Sequence, residues 1–175
     1  SALSKNLLVY SRARMISEIA KLNNSTVAIA GTHGKTTTTS MVGSILKALE
    51  LDPTIIVGGV VKSLESNSAL GSGDTFVVEA DEYNKSLLHL SPTIAVINNI
   101  DLEHIECYED LEDLKETFLQ FANSVPFYGS VCACLDSSNV ASIIRRIDKP
   151  LISYGIENKD VDIKADNIQQ KNGKV

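Results

Sequence analysis

The sequence predicts an α/β fold in which helices flank a mostly parallel sheet. Short apolar runs alternate with helix-length segments along the 175 residues, which is the order expected of strands joined by crossover helices. Several of the runs are continuously apolar, as in strands that are buried on both faces. With 43% apolar and 22% charged residues, the chain has the composition of a protein with a core, and disordered, collagen-like and coiled-coil chains are excluded.

Six strands and four helices are predicted from these patterns. The strands are rich in aliphatic and β-branched residues and cover 26–30, 54–57, 75–79, 93–98, 130–135 and 151–154. The helices have apolar residues at helical spacing and cover 12–21, 35–50, 111–123 and 139–146. Beyond residue 160 the sequence alternates, and Asn172-Gly173 is a hairpin signal. We expect a hairpin that lacks its second strand, in a domain cut from a longer protein.

Charge and cysteine content restrict the partners. The net charge is −6 and the pI is about 5.0, so we expect neither nucleic acid nor an anionic membrane surface as a partner. The longest uncharged stretch, 117–135, contains Pro126 and Gly129 and is interpreted as helix end, turn and strand rather than a membrane span. Three cysteines without a secretion signal favour a reduced, cytoplasmic setting.

A glycine loop follows the first predicted strand and leads into a helix. Phosphate binding needs glycines that turn N–H groups toward an anion, a helix N-terminus, a lysine for the outer phosphates and a hydroxyl for Mg²⁺. Lys35 and Thr36 supply the last two, and Thr37 can add a second hydroxyl. The candidate ligands of a phosphate group are Gly31, Thr32, His33, Gly34, Lys35, Thr36 and Thr37.

The alternative is a plain strand–turn–helix connection in which the glycines only permit a tight turn. The loop departs from the full Walker A pattern at Ile29, where that pattern has glycine. Four successive threonines argue against the plain turn, because β-branched residues open a helix poorly and something other than helix stability selects them.

Two polar clusters are predicted at the same edge of the sheet as the glycine loop. One strand leads into Glu79-Ala80-Asp81-Glu82 and the next into Asn99-Ile100-Asp101-Leu102-Glu103-His104. Glu79 is the leading candidate for a Mg²⁺ ligand because it ends a buried strand, whereas Asp81 and Glu82 also fit a solvated acidic loop. The residues alone leave His104 open between a metal ligand and a surface residue.

The glycine loop is similar to that of the Mur ligases, which are ATP-dependent amide-forming enzymes of peptidoglycan synthesis. Members of the family hold catalytic metal with a Glu after the strand that follows the loop and with a His after the next strand. Those positions match Glu79 and His104 here. The similarity also extends over 78–83, 88–92, 99–104 and 125–129.

The resemblance implies a P-loop NTPase-like fold and assigns 1–175 as the central ATP-binding domain of a three-domain cytoplasmic ligase, truncated near its C-terminal end. It implies ATP and Mg²⁺ as cofactors, with Lys35, Glu79 and His104 as catalytic residues and Thr36, Glu79 and His104 as metal ligands. The implied substrates are UDP-N-acetylmuramate and L-alanine, contacted mainly by the absent domains. Two alternatives stay open: a ligase that joins a tripeptide, which the 125–129 stretch disfavours, and a nucleotide-binding module without catalysis.

Overall fold

Eight strands lie in one sheet in the computed structural model, which describes residues 5, 7–61, 66–103 and 106–169. They are β1 (Ser25–Ala30), β2 (Thr54–Val61), β3 (Ser66–Ala69), β4 (Thr75–Glu79), β5 (Ile94–Ile97), β6 (Ser130–Cys134), β7 (Leu151–Gly155) and β8 (Ile163–Lys164). Their spatial order is β3-β2-β4-β1-β5-β6-β7-β8. Among the described residues only β3 pairs antiparallel, with β2, and the mostly parallel sheet is therefore confirmed.

All four predicted helices are confirmed. They are α1 (Arg12–Ala20), α2 (Lys35–Ala48), α3 (Leu111–Asn123) and α4 (Ser138–Ile143), the last continued by a 3₁₀ turn over Ile144–Arg146. Ser11, Asp110 and Ser137 each cap a helix N-terminus by accepting a backbone N–H from the first turn. These caps explain why α1, α3 and α4 begin where they do.

The sheet is covered on both faces, as the continuously apolar strands predicted. Alternate residues of β1 belong to different clusters: Val27 and Ile29 lie in a smaller one that includes residues of α2, whereas Ala28 and Ala30 lie in a larger one. Phe118 of α3 is fully buried in the larger cluster. Because successive residues of a strand point to opposite faces, β1 runs through the middle of the core and is packed on both faces.

Two short strands were missed, both at the ends of the sheet. β3 has the sequence Ser-Asn-Ser-Ala, with no apolar run, and it is defined by its pairing with β2 rather than by a buried face. β8 has two exposed residues paired with β7. Edge strands of this kind carry little hydrophobic signal. The hairpin predicted at Asn172-Gly173 lies outside the described residues.

The segment after β4 was also missed. It is a 3₁₀ element over Tyr83–His89 in which Asn84 and Lys85 have φ values of 53° and 54°. Two successive non-glycine residues in the left-handed region are costly and persist only where the surroundings hold them. Lys85 Nζ lies 2.7 Å from Asp113 Oδ1 of α3, which anchors the turn.

The uncharged stretch 117–135 is divided between α3, a turn and β6, as predicted. Among the described residues no helix is both long enough and apolar enough to cross a bilayer. Cys107, Cys132 and Cys134 are free thiols, and burial raises the pKa of the Cys132 thiol. The Cys132 thiol therefore resembles a small, partly buried hydrophobe more than a reactive group.

Candidate functional site

The glycine loop joins the end of β1 to the start of α2. Gly31 has a φ of 147° and Gly34 a φ of 77°, both in the range that favours glycine. A Cβ atom on Gly31 would lie 3.0 Å from the Cβ of Asn98, which follows β5. Glycine is therefore required at Gly31 for backbone shape and for close packing on the end of β5.

Helix α2 begins without the side-chain cap that the other three helices have. Its N-cap is Gly34, and the N–H of Thr38 donates to the Gly34 carbonyl at 2.9 Å. The N–H groups of Lys35, Thr36 and Thr37 precede this bond and have no acceptor within the helix. Together with the positive end of the helix dipole they favour an anion at the loop.

The residues after β5 fix the conformation of the loop. The Asn99 side chain forms two hydrogen bonds with the His33 backbone. Its Oδ1 accepts the His33 N–H at 2.7 Å, and its Nδ2 donates to the His33 carbonyl at 3.1 Å. Thr32 donates its N–H to the Asn99 carbonyl at 3.2 Å, and its hydroxyl bonds the Asp101 backbone. Thr32 thus shapes the loop in this structure, and its predicted contact with a cofactor stays a prediction.

His33 has an exposed side chain that faces two carboxylates. Its Nε2 lies 3.5 Å from Glu103 Oε1 and 3.9 Å from Asp101 Oδ2, and all three groups are about half exposed. An exposed pair of this kind contributes little to stability. The His33 side chain is therefore available to a ligand at the loop, as the prediction requires.

Lys35 points into the protein and forms a buried ion pair. Its Nζ lies 2.7 Å from Glu82 Oε2 and 3.1 Å from Glu82 Oε1, and it also donates to the carbonyls of Gly31 (2.6 Å) and Thr32 (3.2 Å). The Glu82 side chain is 2% exposed and that of Lys35 is 12% exposed. Glu82 is therefore the counter-ion of the predicted phosphate-binding lysine.

Thr36 and Glu79 are brought together as predicted for a Mg²⁺ site. The Thr36 hydroxyl donates to Glu79 Oε2 at 2.8 Å, and the N–H of Gly58 in β2 donates to the same oxygen at 2.8 Å. Glu79 lies next to the glycine loop because it pairs with Ile29 of β1 in the β4–β1 ladder. A hydroxyl and a carboxylate oxygen in contact are a donor set that fits Mg²⁺, which takes few protein ligands and keeps waters or phosphate oxygens.

No group of three or more His, Cys, Asp or Glu residues suited to a metal ion occurs within the described ranges. His104, the predicted third ligand, lies outside those ranges. The metal role of His104 therefore stays a prediction that rests on the family resemblance.

The remaining threonines differ in their contacts. Thr39 is buried and its hydroxyl donates to the Lys35 carbonyl at 2.8 Å, as expected of a packing residue. Thr38 Oγ1 accepts from Asn98 Nδ2 at 3.0 Å, and Asn98 Oδ1 accepts from the hydroxyl of Tyr154 at 2.9 Å. Thr37 is exposed beside the loop, where its hydroxyl can reach a ligand.

A cavity of about 180 Å³ opens beside Glu79. Its walls come from α1, β2 and the segment that follows β4, and they include Arg12, Gly58, Asp81 and Ser86. The cavity therefore provides space for a further ligand next to the Thr36–Glu79 pair, with a cationic side chain in its wall.

Sequence analysis missed several residues of the site. It treated Glu82 only as one of three carboxylates after a strand. It did not predict the individual contacts of Gly58, Asn98 or Asn99. The adjacency of β1 and β4 in the sheet was the signal for the Lys35–Glu82 pair, because it places both strand ends side by side. This contact could be inferred only once the order of the strands in the sheet was known.

Replacing Asn99 by alanine is expected to loosen the loop. The variant loses both bonds to the His33 backbone, so we expect unfolding to require about 1 kcal/mol less and affinity for a phosphate ligand to fall several-fold. Thermal melting and ligand titration measure the two effects. Asn23→Ala, before β1 at the opposite edge of the sheet, is the control, and equal affinities for the two variants would contradict the role of Asn99.

The first strand leads through a glycine loop into an uncapped helix that carries a lysine and a threonine, next to a carboxylate on the adjacent strand. These are the features of an α/β domain of the P-loop kind. The model of the Mur ligase middle domain matches residues 29–175, and the chain belongs to this family. The sequence resemblance to the Mur ligases is thereby confirmed.

Curated relatives and solved structures agree with the family. Proteins named UDP-N-acetylmuramate–L-alanine ligase from Desulfotalea psychrophila and Persephonella marina are 48% and 49% identical to this chain over 92% and 93% of it. The chain spans about a third of the length of these relatives, 35% in both cases.

Two solved structures share the fold over most of the chain. A UDP-N-acetylmuramate-alanine ligase from Thermotoga maritima has a TM-score of 0.75 at 26% identity, and the match covers 90% of this chain and 35% of that one. A UDP-N-acetylmuramate:L-alanyl-gamma-D-glutamyl-meso-diaminopimelate ligase from Neisseria meningitides has a TM-score of 0.78 at 25% identity, covering 93% and 60%. The fold is that of Mur ligase central domains.

Proposed function

We propose that this chain is the ATP-binding domain of a cytoplasmic ligase that joins L-alanine to UDP-N-acetylmuramate. The observation that carries the proposal is the contact of Thr36 with Glu79 beside the glycine loop, in a chain that is nearly half identical to proteins of that name. The loop supplies the parts that a nucleotide phosphate needs, and the relatives supply the substrates. Both substrates would be held mainly by parts of the protein outside this chain.

The reaction requires positioning and charge neutralisation more than bond chemistry by the protein. The lactyl carboxylate of the sugar attacks the γ-phosphate of ATP, giving an acyl phosphate and ADP, and the amino group of L-alanine then displaces phosphate to form the amide. The N–H groups of Lys35, Thr36 and Thr37 and the Lys35 ammonium group would bind the phosphates.

Thr36 and Glu79 would hold Mg²⁺, with His104 as the predicted ligand of a second ion. A bound Mg²⁺ supplies positive charge at the transferred phosphoryl group. The cavity beside Glu79 is where this chain leaves room for the acceptor carboxylate, and Arg12 in its wall provides a cation for it.

The tripeptide-joining alternative is not favoured. The two solved structures named above fit the fold almost equally well, with TM-scores of 0.78 and 0.75, so the backbone does not discriminate between the substrates. The identities of 46–49% to proteins named as L-alanine ligases, over most of the chain, support L-alanine as the substrate.

Phosphate release by the full-length protein tests the proposed function. We expect release from ATP to require both UDP-N-acetylmuramate and L-alanine, and the tripeptide L-alanyl-γ-D-glutamyl-meso-diaminopimelate to be a poorer substrate by about a hundredfold or more in kcat/KM. Faster turnover with the tripeptide would replace the proposed substrate. Nucleotide binding without turnover under any of these conditions would favour the module without catalysis.

A further inference from the structure

Glu82 is a buried carboxylate in contact with the lysine of the phosphate site. It lies three residues beyond Glu79, and 2% of its side chain is exposed. Both of its carboxylate oxygens are within 3.1 Å of Lys35 Nζ. A buried carboxylate of this kind is costly unless it is paired, and its position at the loop therefore calls for an explanation.

The contacts of Lys35 leave no ammonium proton directed at a ligand. An ammonium group has three N–H donors. The two shortest contacts reach the Gly31 carbonyl at 2.6 Å and Glu82 Oε2 at 2.7 Å, and Thr32 O and Glu82 Oε1 lie at 3.2 and 3.1 Å. A phosphate oxygen can therefore accept a hydrogen bond from Lys35 only if one of the present bonds breaks. The bond to the Glu82 carboxylate is the strongest competitor because it is charge-assisted.

The backbone of Glu82 is fixed from the other side. The buried hydroxyl of Tyr108 donates to the Glu82 carbonyl, and burial together with the charge of Glu82 raises the pKa of Tyr108, so this donor keeps its proton. The left-handed turn at Asn84 and Lys85 begins two residues after Glu82, and the Lys85–Asp113 pair anchors it to α3. Lys35, on a flexible four-carbon stem, moves more readily than this backbone.

We propose that Glu82 is a positioning residue that holds Lys35 against the loop and competes with the nucleotide phosphates for its ammonium group. The inference rests on the proposed function. The carboxylate stabilises the nucleotide-free loop, and it lowers nucleotide affinity because a negative charge remains beside the bound phosphates. Such a residue favours release of ADP after each turnover.

Glu82→Gln tests the proposal in the 175-residue chain and in the full-length protein. Glutamine keeps the shape and an acceptor for Lys35 but removes the charge. We expect the dissociation constant for MgATP to fall about three- to tenfold, which is the scale of one unit charge a few ångströms away in a solvated site. We also expect a lower melting temperature without nucleotide, a larger rise on adding MgATP, and a lower KM for ATP with kcat no higher.

Glu112→Gln is the matched control, because Glu112 pairs with Lys115 on α3 and its side chain is 74% exposed. If Glu82→Gln does not fold, Glu82→Asp replaces it as the test variant. Its side chain is one methylene shorter, so the carboxylate lies farther from Lys35, and we expect a smaller gain of about twofold in MgATP affinity. A lower melting temperature with unchanged or weaker MgATP binding would overturn the proposal and leave an ordinary structural ion pair. Wild-type protein that binds no MgATP would overturn the proposed function, and this inference with it.

Discussion

Replacing Lys35 by alanine is expected to remove most of the affinity for MgATP and to destabilise the fold. The lost charge-assisted bonds to phosphate contribute about 1.5–3 kcal/mol, so the dissociation constant should rise by at least tenfold. The free energy of unfolding should also fall by about 1.5–3 kcal/mol, because Glu82 loses its charge-assisted hydrogen bonds to the Lys35 ammonium group. Isothermal titration and chemical denaturation measure the two effects.

The double variant Lys35→Ala/Glu82→Gln separates binding from stability. Removing both charges should restore much of the lost stability while MgATP binding stays weak, since the phosphate-binding cation is still absent. Lys115→Ala is the control, because the Lys115 side chain is as covered as that of Lys35, at 12% exposed, but pairs with an exposed carboxylate. MgATP affinity that matches wild type in the folded double variant would refute the role of Lys35.

Glu79→Gln is expected to lower kcat of the full-length protein by about a hundredfold or more, the scale observed when one group that stabilises transition-state charge is removed. Glutamine can still accept from Thr36 and Gly58, so the fold should hold while the anionic Mg²⁺ ligand is lost. A titration of activity against Mg²⁺ should show half-saturation at a higher concentration than in wild type.

Thr36→Val gives an independent check of the same metal site. It removes the hydroxyl at nearly constant volume, and the shift in Mg²⁺ dependence should have the same direction with a smaller size, because a neutral ligand holds Mg²⁺ less strongly than a carboxylate. An unchanged Mg²⁺ dependence in both variants would show that this pair does not hold the ion.

The framework of the fold could be predicted from the sequence because its strands and helices bury most of their side chains. β1 is buried at every position except its first, β4 has three successive buried apolar residues, and α3 has an apolar stripe. Where burial is slight, the prediction failed, as it did for β3 and β8. The turn at Asn84 and Lys85 could not be predicted either, since two left-handed residues without glycine are stabilised by tertiary contacts.

The candidate site was predicted in its local part only. The sequence places the loop, Lys35 and Thr36 in one continuous segment, and the end of a strand marks Glu79. The contacts that connect different strands, such as Lys35 with Glu82 and Asn99 with His33, depend on the order β4-β1-β5 in the sheet. That order is a property of the folded chain, and no spacing rule in the sequence reports it.

Two hydrogen bonds through Asn98 connect β7 to α2, the helix that follows the glycine loop. The Tyr154 hydroxyl of β7 donates to the Asn98 oxygen, and the Asn98 amide donates to Thr38 on α2. Burial raises the pKa of Tyr154, so the first donor stays protonated. The Asn98 carboxamide accepts at one end and donates at the other, so each of the two hydrogen bonds strengthens the other by polarisation. A residue of β7, two strands away from β5, thus helps to hold the first turns of α2 in place beside the glycine loop.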